Sequence, residues 1–99
     1  MEKKLNSKEI IKRLEEKKKE VKKIGVKKIG LFGSYLNGEQ KRGSDIDIIV
    51  SFDNMSYDSY FEILSFLRKL FNQEIDLVIR ESLRPELNHI KRGAKYAKI

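Results

Sequence analysis

Two aspartates one residue apart, Asp45 and Asp47, open the apolar run DIDIIVSF (Asp45–Phe52). In a strand, residues two apart face the same side, with Cα atoms about 6.6 Å apart. The pair then points together while Ile46, Ile48 and Val50 turn into a core. Two like charges held side by side are costly unless something positive sits between them. A divalent cation meets that need, and Mg²⁺ takes a few carboxylates together with phosphate oxygens and water. Two such ions about 3.5–4 Å apart clamp the attacking and leaving oxygens of an in-line displacement at phosphorus.

Ahead of the pair stands Gly33–Ser34, with Tyr35 to Ser44 between. Glycine lets a ligand approach the backbone and allows unusual backbone angles. Ser34 opens a helical turn, whose free N–H groups and dipole favour phosphate. An isolated Gly-Ser pair reads as an ordinary N-cap after a turn. A strand, a Gly-Ser turn, a loop and then D-x-D opening the next strand is far more demanding. The whole stretch suits the two ends of one ligand, a metal-bound nucleoside triphosphate. Asp76 lies further on, in the apolar run EIDLVI (Glu74–Ile79). Two readings of it stand open. It is an edge-strand residue facing solvent, or a third ligand beside Asp45 and Asp47 that holds the metal activating an acceptor hydroxyl and takes its proton.

The elements that must position these groups follow from periodicity. Ser7 is read as the cap of a helix with a sparse apolar stripe (Ile10, Ile11, Leu14, Val21) that ends near Gly25. VKKIGLFG (Val26–Gly33) reads as a strand entering a glycine turn, and SYLNG (Ser34–Gly38) as one or two helical turns stopped by Gly38. Residues 57–71 place most apolar side chains at i, i+3, i+4 and i+7, an amphipathic helix. Its aromatic residues Tyr57, Tyr60, Phe61, Phe66 and Phe71 are read as core, as are Phe32 and Phe52. EIDLVI is a third strand. Pro85 suits the first turn of a last helix running to about Arg92, with His89 as a surface or helix-end residue. The order α-β-α-β-α-β-α gives an α/β (α+β) fold, a small mixed β-sheet with flanking helices.

Ninety-nine residues make one domain with one modest core. The division expected is a basic N-terminal helix (1–24) and a catalytic core (25–96). A chain this size has no room for a second domain, so an acceptor substrate arrives from outside. There is no cysteine and one histidine, which excludes disulfides and Cys- or His-based metal sites. No apolar run is long enough to span a membrane, and the N-terminus lacks an apolar leader, so a soluble cytoplasmic protein is expected. Residues 1–28 hold 12 of the 22 Lys/Arg but 5 of the 15 Asp/Glu, which is the entire net charge of +7. Such a segment meets nucleic acid or an acidic partner, or is a solvated helix face laced with Glu–Lys pairs. The absence of aromatic residues there favours the solvated face.

GSYLNGEQKRGSDIDIIV resembles the G-S-x(10)-D-x-D signature of the DNA polymerase β-like nucleotidyltransferase superfamily. With the short length and the later IDLV…LRPEL…I, the chain resembles its minimal branch, the MNT domain proteins, from about Ile24 to Tyr96. The resemblance implies the polymerase β-like fold and Mg²⁺-dependent transfer of a nucleotide, AMP from ATP, with pyrophosphate released. Carried over, Gly33 and Ser34 hold the triphosphate, Asp45 and Asp47 bind the metal ions, and Asp76 is the third carboxylate. Many members of this branch are antitoxins of a neighbouring HEPN-domain toxin, some by adding AMP to a toxin tyrosine. A HEPN toxin as partner would supply the missing acceptor. Many relatives carry a basic residue directly after the Gly-Ser pair; here it is Tyr35, with Lys41 and Arg42 in the loop as possible substitutes. Three other readings stand beside this one: a non-catalytic module neutralising a HEPN toxin by contact, a nucleic-acid-binding protein using the basic segment, and nucleotidylation of a small molecule. The last lacks a second domain to form its acceptor pocket.

Overall fold

The computed structural model describes residues 5–41 and 43–99. Helix α1 (Ser7–Glu16) starts at the expected cap itself, and its cap lies one residue earlier. The Asn6 side chain, not Ser7, accepts the Glu9 N–H at 2.9 Å. The expected single N-terminal helix is two, because Lys17 at φ −104° interrupts it before α2 (Lys18–Lys23). The apolar stripe survives the break. Ile10, Leu14 and Val21 are wholly buried.

Strand β1 (Val26–Phe32) runs antiparallel to β2 (Ile46–Phe52), with Phe32 opposite Asp47. Between them lies α3 (Ser34–Asn37), which Gly38 ends at φ 72°. A crossover through α4 (Tyr57–Phe71) returns the chain to β3 (Ile75–Ile79), parallel to β2. Ser56 caps α4 in a reciprocal pair with Ser59. At its far end Asn72 takes the left-handed conformation, φ 52°, that turns the chain toward β3. Pro85 opens a short 3₁₀ turn (Pro85–Leu87), and the last helix, α5 (Asn88–Gly93), begins after it. A strand absent from the sequence reading, β4 (Lys95–Tyr96), pairs with β1. The sheet order is β3-β2-β1-β4, mixed in direction, which bears out the expected fold class.

One face of the sheet holds the core. Ile46, Ile48 and Val50 are fully buried there, with α1, α2 and α4 packed over them. Alternation therefore turns Asp47, Ile49 and Ser51 to the other face. The aromatic expectation for α4 holds only in part. Phe71 is buried, but Tyr57 is 82% and Phe61 60% exposed. Ile63, Leu67 and Phe71 make the stripe that meets the sheet, and Phe61, two residues before Ile63, falls about 200° round the helix from it. Phe52 is core as expected. Phe32 is half-buried outside the core cluster and shares the Asp47 face. Among the described residues no helix is long and apolar enough to cross a membrane.

Candidate active site

The site forms where the end of β1 meets the beginnings of β2 and β3. Asp47 and Asp76 are each the second residue of their strand. The parallel register sets them directly beside one another, close enough for a proton on one carboxyl group to be shared with the other. Asp76 occupies the place that each sequence reading requires. It is exposed on the edge strand, and it stands next to Asp47. Asp45 precedes β2, is exposed, and adds its negative charge to the field at Asp47.

The antiparallel β1–β2 pairing brings the glycine turn to the same place. Gly33 has φ 76° and ψ −151°, a conformation reserved for glycine. A Cβ built on it would lie 2.8 Å from Asp47 Cγ and overlap the carboxylate. The Ser34 backbone N–H, at the start of α3, lies beside that same carboxylate and favours its charged form. The two motifs, expected at opposite ends of a ligand, are in direct contact here, and Asp47 is the group that joins them.

Burial pushes the Asp47 carboxyl up to about 6 from its ordinary 3.8. Proton sharing with Asp76 and the negative charge of Asp76, and more distantly Asp45, push the same way, while the Ser34 N–H pulls it down. Below about pH 6 a proton on the pair offsets the repulsion of the two carboxylates, as a cation would. Among the described residues no group of three or more His, Cys, Asp or Glu side chains is gathered closely enough to hold a metal alone. The paired Asp47 and Asp76 nevertheless fit a hard divalent cation that draws its other ligands from water and phosphate.

The remaining sequence candidates lie elsewhere. Tyr35 is 5% exposed, so it does not stand in as a surface group for a basic residue. Its hydroxyl donates to Gln73 Oε1 at 2.9 Å. Lys41 is exposed in the loop, and Arg42 lies outside the described residues. His89 is exposed on α5, as expected. Sequence reasoning missed Phe32 as a neighbour of Asp47, and missed Gln73. The strand pairing was the only available signal for Phe32, and nothing in the sequence marks Gln73.

The family model of the nucleotidyltransferase domain matches residues 7–99. A protein from Methanocaldococcus jannaschii, named as a candidate protein adenylyltransferase, is 45% identical over 56 residues, 54% of this chain and 56% of that one. The protein adenylyltransferase MntA of Thermococcus cleftensis is 40% identical over 55 residues, 54% and 56% of the two chains. The matched part thus spans about half the length of these curated relatives. Among solved structures, a toxin–antitoxin complex with AMP-PNP aligns over 93% of this chain and 72% of its own, at 30% identity and TM-score 0.66. A complex of tri-AMPylated Shewanella oneidensis HEPN toxin with MNT antitoxin aligns over 81% and 64%, at 25% identity and TM-score 0.55.

Proposed function

The chain belongs to the nucleotidyltransferase domain family, and from that premise we propose that it transfers AMP from ATP to a hydroxyl of a partner protein. The observation that carries this reading is the pairing of Asp47 with Asp76 directly against the Gly33–Ser34 turn. Paired carboxylates set against a glycine turn that opens a helix can serve a cation and a phosphate chain together.

In this reading the acceptor oxygen forms a bond to the α-phosphorus of ATP. The bond from that phosphorus to the bridging α–β oxygen breaks, and pyrophosphate leaves. The Gly33–Ser34 backbone and the Ser34 hydroxyl hold the triphosphate. Asp47 and Asp76, with Asp45 nearby, would hold Mg²⁺, which would supply positive charge to offset that of the phosphates. Asp76, open to solvent at the sheet edge, takes the proton of the acceptor hydroxyl. Residues 25–96 are the catalytic unit. The relatives that crystallise as toxin–antitoxin complexes support a HEPN-domain toxin as the acceptor, with this chain as its cytoplasmic antitoxin.

The test is incubation with α-labelled ATP and Mg²⁺, with and without the protein encoded beside it, alongside an Asp45→Asn/Asp47→Asn control. Label on the partner, absent with the double variant, is the expected result. A partner that binds but takes no label would instead make the chain a neutraliser by contact.

A further inference from the structure

We propose that Tyr35 and Gln73 are positioning residues, whose hydrogen bond braces the phosphate turn against the strand that carries Asp76. The inference deepens the proposed transfer reaction and rests on that reading. Its structural part stands on the following contacts.

Helix α3 is one turn long. A single turn fixes several backbone angles for very few hydrogen bonds and does not hold itself. Ser34 at its start nevertheless has to keep its N–H aimed at Asp47. The anchor comes from the next residue. The Tyr35 ring is buried in the core cluster, and its hydroxyl reaches out of that cluster to Gln73 Oε1 at 2.9 Å. Gln73 lies in the three-residue connection between α4 and β3, three residues ahead of Asp76. The next residue of that connection, Glu74, accepts the Ile46 N–H on its backbone carbonyl at 3.1 Å. Ile46 lies between Asp45 and Asp47.

One short connection is therefore tied to every part of the site. Gln73 takes the turn, Glu74 takes the start of β2, and the chain then delivers Asp76. The core packing of the Tyr35 ring fixes where α3 sits. The hydroxyl bond fixes how α3 is tilted relative to β3. A tilt of that turn changes the gap between the Ser34 N–H and the carboxylates, and misplacement of about 1 Å in a reacting constellation costs about 10²-fold in rate.

The variants are Tyr35→Phe, which keeps the buried ring, Gln73→Ala, both together, and Gln73→Glu, which keeps an acceptor for the hydroxyl. Two measurements are made on each. Amide hydrogen exchange is followed at residues 34–37 and 74–76, and steady-state transfer is followed with ATP and the partner protein. Tyr35→Phe and Gln73→Ala are expected to speed exchange in both segments and to lower kcat by about 10- to 100-fold with KM for ATP within about threefold. The double variant should be no worse than either single one, since both remove the same bond. Gln73→Glu should restore slow exchange. Unchanged exchange and kcat in Tyr35→Phe would overturn the brace. So would additive losses in the double variant. If the wild-type chain transfers nothing, the proposed reaction fails, and the exchange measurement alone still decides the brace.

Discussion

Asp47 is under conflicting demands, and they make it measurable. Its carboxylate is partly withdrawn from water, can share a proton with a second carboxylate and lies beside a helix N-terminus. The raised value of about 6 means the folded chain holds this proton more tightly than the unfolded chain does. Folding is therefore favoured by this group below its ordinary value near 4. That contribution is lost as pH rises through 6. Asp47→Asn has no such titration. In metal-free buffer the variant's melting temperature should gain on the wild type between pH 4 and 6 and then hold a constant lead. Mg²⁺ with AMP-PNP should narrow that lead, because only the carboxylate pair gains from the cation. Transfer should fall in the same variant, by at least about 10²-fold. A flat difference across this pH range would remove the burial and charge account of Asp47. Gly33 meets the same carboxylate from the other side. Gly33→Ala places a side chain at φ 76° and drives it into Asp47. A loss of about 1–3 kcal/mol in denaturant unfolding is expected, with transfer abolished.

Elements set by local pattern were legible in advance, and elements set by pairing were not. The i, i+3, i+4 spacing of residues 57–71 and the β-branched run after Asp45 reproduce α4 and β2 to within a residue. The D-x-D and Gly-Ser groups were legible for the same reason, since their chemistry lies within a few neighbouring residues. Their contact across β1 and β2 was not, because the strand register that creates it joins residues far apart in the chain. β4 is the extreme case. Two residues carry no periodicity, and this strand exists because β1 offers an edge and a glycine. The Tyr96 ring lies so close over Gly30 that a Cβ there would come within 2.9 Å of it. The Ala97 N–H continues the pairing to the Ile29 carbonyl at 2.9 Å. Gly30→Ala is consequently a test of this element. It should expel β4, raise hydrogen exchange at Ala97 and cost about 1–3 kcal/mol, while α4 amides stay protected. Retention of slow exchange at Ala97 would mean that β1 can bend away from the new methyl group.

At the scale of the whole molecule, the charge and the core pull the reading of the N-terminal segment in different directions. By charge it is a separate thing, with residues 1–24 holding 10 Lys/Arg against 5 Asp/Glu, or +5 of the chain's +7. By packing it is not separate. Ile10, Leu14 and Val21 of α1 and α2 are wholly buried in the same cluster as Ile48 and Val50. Arg13 stacks over the Phe71 ring at 6.0 Å and, through its guanidinium, ties α1 to α4. A small domain has little core to spare, so the lysines ride on the solvent side of helices that the fold requires. The division at residue 24 expected from composition accordingly marks a change of charge within one folding unit. Leu14→Ala should cost about 2–5 kcal/mol. Removal of residues 1–24 should abolish cooperative thermal unfolding along with transfer. Charge reversal on the exposed side, with Lys12, Lys18 and Lys22 changed to Glu, should leave the melting temperature within a few degrees, since isolated surface charges contribute about 0–1 kcal/mol each. A truncated chain that still melts cooperatively and transfers AMP would restore the segment to the status of an appended basic arm, and the charge-reversed chain would then be the place to look for a lost partner.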